Sequence, residues 1–199
     1  MAYSNYKTLK QVAEKFGLEV TSANLFKNVN PVQPSDWLVQ TLEIAKTLPS
    51  SNEKSKSERF ISPILLDIYN AHKDTYTLFS GEELNVDPKN DLNGPCDFFF
   101  VKKRDAVLLE APVVSFTEAK KEDMDYGVAQ CTAQMVGAQK FNQEKGKPIS
   151  IIWGCSTTAG EWKFLKLVDK NLYVDKESYF VDTVDVLLGV FHQIFKHGG

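Results

Sequence analysis

The chain has 199 residues, 43% hydrophobic and 25% charged, which fits one globular domain able to bury a core without disulfide staples. Its formal net charge of −3 announces no nucleic-acid binder and excludes none, because the distribution of charge matters more than its sum. No apolar run approaches the roughly 20 residues of a membrane span, so no membrane association is expected.

Three dispersed cysteines, Cys96, Cys131 and Cys155, lack CxxC spacing. They argue against a zinc site and for a reducing, cytoplasmic setting. The first residues, Met1 to Lys7, contain no apolar secretory core.

Leu9, Val12, Ala13 and Phe16 recur at helical spacing and predict a helix over about 6–17, stopped by Gly17. Residues 20–34 carry Asn28, Asn30, Pro31 and Pro34 and read mostly as loop. Ser35 is a good N-cap for a second helix with Trp37, Leu38, Thr41, Ile44, Ala45 and Leu48 as its stripe, ended by Pro49. The polar stretch 50–57 reads as a solvated linker or as an arm touching a phosphate backbone. From Glu58 to His72, Ile61, Leu65, Ile68 and His72 share a helical face, with Glu58 one turn ahead; Pro63 predicts a helix start near Ser62 or a bend there.

Strands are predicted at 75–80 and 83–86, then at 96–101, with 107–109 extending a hairpin, and at 113–120. A helix over about 126–144 buries Val128, Cys131, Met135, Ala138 and Phe141. Strands at 149–155 and 161–168 and a closing helix from Asp182 complete the order. The expected class is α/β or α+β, with a mixed central sheet flanked by helices. It forms one domain, 1–199, with an N-terminal helical elaboration (1–50), a core (58–167) and a C-terminal helix (182–196).

The chemistry concentrates at Asp97 and at Glu118-Ala119-Lys120. In a strand, residues i and i+2 face the same way, so Glu118 and Lys120 emerge together. Asp97 lies on the preceding strand candidate, and sequential strands tend to be neighbours. Two converging carboxylates suit a hard cation such as Mg²⁺ or Mn²⁺ with several waters. The Ala119 carbonyl, lying between the two side chains, is a further candidate ligand. Lys120 is placed to orient a water or to stabilise charge on a phosphate.

This pattern resembles the restriction-endonuclease-like PD-(D/E)XK nuclease superfamily over Glu58 to about Leu167. Gly94-Pro95-Cys96-Asp97 stands where that superfamily has its first acid, and Glu118-Ala119-Lys120 matches the E-x-K half. Pro95 is separated from Asp97 by Cys96, so the literal Pro-Asp pair is absent. The stretches Gly127–Cys131 and Trp162–Leu165 resemble uncharacterised bacterial members, cyanobacterial ones in particular. The resemblance implies a three-layer restriction-endonuclease-like core and Mg-dependent hydrolysis of phosphodiesters, with DNA as the expected partner. It implies a catalytic set of Asp97, Glu118, Lys120, Glu58 and Gln130, with Asp97, Glu118, Ala119 and Glu58 around the metal. Two alternatives stay open: a non-catalytic binding module that keeps the fold, and an assembly protein forming a homodimer through the C-terminal helix and the aromatic hairpin.

Overall fold

The computed structural model describes residues 2–197. Among them, eight strands form one mixed sheet. Helix α1 (Leu9–Phe16) leads to strand β1 (Glu19–Ala23), and α2 (Asp36–Lys46) follows. Then come α3 (Glu53–Lys56), a π-helical turn at Ser57–Ile61, and α4 (Ser62–His72). Strands β2 (Thr77–Ser80), β3 (Phe98–Val101) and β4 (Val113–Ala119) precede the long helix α5 (Met124–Glu144). The later elements are β5 (Ile152–Thr157), β6 (Glu161–Val168), β7 (Asn171–Asp175), β8 (Tyr179–Phe180) and α6 (Val184–His197).

The spatial order is β1-β7-β6-β5-β4-β3-β2, with β8 pairing β6. The β4–β5 and β1–β7 pairs are parallel and the others antiparallel. The 113–119 and 152–157 runs are continuous rather than alternating because β4 and β5 are buried on both faces along their whole length. One apolar cluster joins α1 and α5 to one face of the sheet; a second joins α2, α4 and α6 to the other. Among the described residues no helix is long and apolar enough to cross a membrane.

Two irregularities decide where side chains point. Between β3 and β4 the register shifts, with Phe100 opposite Ser115 and Val101 opposite Val113. This β-bulge adds one residue to β4 and resets the alternation. Val113 and Glu118, five apart, would otherwise face opposite ways; with the bulge the Val113 side chain joins the cluster of α5 and Glu118 bonds to Gln134 of the same helix. The second irregularity lies just before Pro63. The proline has no N–H to give, and the preceding turn widens so that the N–H of Ser62 reaches back to the carbonyl of Ser57. The helix neither starts at Ser62 nor breaks there: it runs on from Glu53 through the π turn.

Several sequence expectations are corrected. The 20–34 stretch contributes β1, which pairs with β7, so the N-terminal elaboration is not purely helical. Residues 52–56 are not a solvated linker: Asn52 and Ser55 form a capping box and start α3. The 83–86 strand reduces to a single bridge, Glu83 with Pro95. Residues 107–109 do not extend the hairpin; Val107 and Leu108 stand in solvent. Strand β7 had no counterpart among the predicted elements. The stripe of α6 (Leu187, Val190, Phe191, Ile194) is spent inside the chain, as are Trp162 and Phe164 of the aromatic hairpin. Those side chains are therefore covered by their own chain.

Candidate active site

Asp97 immediately precedes β3, and Glu118 and Lys120 lie at the end of β4; antiparallel pairing of Phe98 with Thr117 brings the two ends together. The pairing is reinforced by chemistry at the acids themselves. The backbone N–H of Ala119 donates to Asp97 Oδ2 at 2.8 Å. Lys120 Nζ donates to Glu118 Oε1 at 2.7 Å, and Gln134 Nε2 of α5 donates to Glu118 Oε2 at 2.7 Å. The Lys120 and Glu118 side chains are only 12% and 6% exposed, so neither charge is well hydrated and each depends on the other.

The electrostatics follow from that confinement. Burial, and then the charge of Asp97, push the Glu118 carboxyl up to about 7 against the opposing pull of Lys120 and Gln134. Asp97 is also raised, by burial and by the negative charge of Glu53, although the Ala119 N–H and Lys120 favour its ionised form. Burial works against the Lys120 ammonium, but Glu118, Asp97 and Glu53 together outweigh it and hold the group above its ordinary value. Two carboxyl groups therefore share one cation, and the crowding favours a proton on them. The Cys96 thiol next door is pushed up by burial and by the same carboxylates, which keeps it protonated.

Asp97 and Ala119 line a cleft of about 340 Å³, with Ser80 and Phe98 on the sheet side and Glu53, Ser57, Glu58 and Ser62 on the helical side. Here the predicted acid is corrected. Glu58 stays at the rim, largely in solvent, 3.8 Å from Lys54. Glu53, one turn earlier, is the acid whose charge reaches Asp97 and Lys120. Ala119 takes part through its N–H, a contact that the expected role of its carbonyl did not include.

Gln130 is corrected in the same way. It is buried on α5, but its Nε2 donates to Tyr126 Oη at 3.1 Å rather than reaching the acids. Its connection to the site runs through the Tyr126 ring, whose centre lies 5.3 Å from Lys120 Nζ. Gln134, one turn on, bonds to Glu118. Gln134 and Asn142 belong to the buried stripe Cys131, Met135, Ala138 at i, i+3, i+4, i+7, i+11, and that phase was the available signal for them. For Glu53 the signal was the Asn52-x-x-Ser55 capping pattern.

Close packing of α5 on the sheet makes room for Lys120. A Cβ on Gly127 would stand 2.1 Å from Ser156 Oγ and 2.9 Å from Lys120 Cγ. Glycine here lets the helix approach until the lysine stem lies along it.

Among the described residues no three His, Cys, Asp or Glu side chains form a ready-made metal cage. The donor set at Asp97 and Glu118 is nevertheless all oxygen, and with both carboxyls ionised it exceeds the charge of Lys120, an excess that a hard divalent cation would neutralise. Mg²⁺ commonly takes one or two carboxylates and keeps its remaining waters, so the pair fits such an ion. Comparison with protein-family models and with curated proteins gave no match.

Proposed function

We propose that this chain is a metal-dependent phosphodiesterase, a nuclease acting on DNA, with a PD-(D/E)XK-type site on a restriction-endonuclease-like core. The observation that carries the reading is the meeting of Asp97, Glu118 and Lys120 at the paired ends of β3 and β4, beside an open cleft. Asp97 and Glu118 would hold Mg²⁺ or Mn²⁺, with the Ala119 carbonyl as a further candidate and Glu53, rather than Glu58, as the nearest additional negative charge. The chemistry such an ion supplies is polarisation of a phosphoryl oxygen and acidification of water.

The protein's own groups do the rest. Gln134 fixes the Glu118 carboxylate and favours its ionised form. Lys120 is held protonated, so it serves as a hydrogen-bond donor to water or to phosphate and not as a proton acceptor. Tyr126 and Gly127 of α5 border the lysine and limit where its ammonium can move. Gln130 braces Tyr126.

The test is cleavage of supercoiled plasmid with Mg²⁺ or Mn²⁺ by the wild type, Asp97→Asn and Lys120→Ala. The expected result is nicking by the wild type alone; equal nicking by all three would sink the assignment. A second reading, a binding module without catalysis, draws support from the Lys120–Glu118 pair, which satisfies both groups from within the chain. Calorimetric titration with Mn²⁺ separates the two, since the module predicts no heat of binding.

A further inference from the structure

The helical rod from Glu53 through the π turn has two different sides. Glu53, Lys54, Ser57, Glu58 and Ser62 face the first cleft, where with Asp97 three acids outweigh one lysine. Lys56 and Phe60, four residues apart and therefore on one face, look into a separate groove of about 380 Å³. The two hollows flank the same helix, and their chemistry is opposite in sign.

We infer that this second groove is the subsite for the nucleotide flanking the scissile bond in a DNA strand, with its phosphate on Lys46 and Lys56 and its base against Phe60. The inference rests on the phosphodiesterase reading and extends it to substrate placement. Among the described residues that line the groove, the ionisable ones are Lys46 and Lys56, both cationic. Lys56 Nζ donates to the carbonyl of Lys121 at 2.6 Å, which anchors its charge one residue beyond Lys120 and leaves two of its three N–H groups for a ligand. Lys46 pairs with Asp182 at 3.5 Å, largely in solvent, and such a pairing is weak enough to exchange for a phosphate.

The apolar wall is preformed. Phe60 is half-buried, its inner edge packed on the core. Ala159 and Val181 line the same groove, each held by a hydrogen bond at or beside its backbone. The Ala159 carbonyl accepts from Trp162 Nε1 at 3.0 Å, and the N–H of Val181 donates to the Gly160 carbonyl at 3.0 Å. An aromatic ring and two cations lining one groove are the groups that a nucleotide unit matches with a flat base and a single negative charge.

The experiment is fluorescence anisotropy of a labelled 12-nucleotide single-stranded DNA without divalent ions, as a function of salt. Lys46→Gln/Lys56→Gln should weaken binding about tenfold and reduce the salt slope by about 0.7 for each phosphate no longer neutralised. Phe60→Leu, which keeps the side chain apolar and bulky, should weaken binding about tenfold with an unchanged slope. Binding equal to wild type in both variants would overturn the subsite, as would failure of the wild type to bind. Tighter binding of an RNA 12-mer would overturn DNA as the occupant. Should Phe60→Leu unfold, the surface lysine pair carries the test alone. Plasmid cleavage run in parallel separates this inference from its premise. Cleavage with variant binding unaltered discards the subsite and keeps the nuclease; lysine- and Phe60-dependent binding without cleavage does the reverse.

Discussion

The side-chain amide of Asn142 closes two hydrogen bonds on the backbone of Val113: it accepts from the N–H at 2.8 Å and donates to the carbonyl at 2.8 Å. A helix residue thus takes the place of a strand neighbour at the head of β4. Gln134 on the same helix holds Glu118 near the other end of that strand. Strand β4 is clamped to α5 at both ends, by its backbone at Val113 and by a side chain at Glu118. Asn142→Leu leaves a buried N–H and a buried carbonyl without partners, so it should destabilise the protein by about 2 kcal/mol. The midpoint of urea unfolding measures this.

Gln134→Leu tests the other clamp. Removing the amide takes away a donor that favours ionised Glu118, so the carboxyl should titrate still higher. Mn²⁺ affinity at pH 7 should fall several-fold and recover toward the wild-type value at about pH 8.5, where the carboxylate is ionised regardless. Calorimetry at the two pH values reads the difference; an equal loss at both would mean that Gln134 shapes the site without tuning its charge.

The raised Glu118 also leaves a mark on stability. A carboxyl ordinarily near 4.5 and held at about 7 in the folded chain binds its proton more tightly when folded. Its contribution is fully present below about pH 4.5 and is lost as pH rises through about 7. Glu118→Gln should flatten the fall in melting temperature across that window. Added Mn²⁺ should oppose the fall in the wild type and have no such effect in the variant.

A second pH dependence has the opposite sign. His72 Nε2 lies 3.0 Å from His192 Nδ1 where α4 meets α6. Burial, then His192 and Lys196, lower His72 to about 4; burial and Lys196 also lower His192, while Asp67 opposes. The neutral pair stabilises the fold above about pH 6.5, and that stability is lost as pH falls through about 4. His72→Gln should remove roughly 1 kcal/mol of this acid sensitivity after allowance for solvent screening, read from urea midpoints at pH 5 and pH 7.

Gly127→Ala should cost about 1–3 kcal/mol through overpacking and should also displace Lys120. Ser156→Ala relieves the tighter of the two approaches and should restore part of the stability, but not the lysine position, because Lys120 Cγ remains 2.9 Å from the new methyl group. A double-mutant cycle on stability and on cleavage separates the two effects.

Much of this was legible in the sequence. Helical stripes and continuous β runs located the central strands and the long helix, because β4 and β5 are buried on both faces and α5 lies flat on them. Glu118 and Lys120 followed from strand alternation, and Asp97 from the tendency of sequential strands to be neighbours. What could not be read was phase set by irregularity. The bulge in β4 and the π turn before Pro63 each shift residues by one position, and no propensity encodes that shift. Glu58 and Gln130 were assigned by resemblance to a motif and not by phase, and each lies one turn from the residue, Glu53 or Gln134, whose charge or amide acts on the acids. Strand β1 was hidden by its exposure: four of its five residues face solvent, and Glu19-Val-Thr-Ser carries no apolar alternation.

The π turn has a consequence for the history of this chain as well as its shape. A helix position rotates by about 100° for every residue inserted or removed. Deleting one residue between Ser57 and Ile61 would restore ordinary α geometry downstream, where α4 is locked into the core. It would also turn Glu53 away from the acids and part Lys56, upstream of the turn, from Phe60, which packs on the core. Substitutions in this segment can be tested by descent one at a time, whereas a change in its length alters both hollows at once. Variation here should be found in residue type and not in residue number.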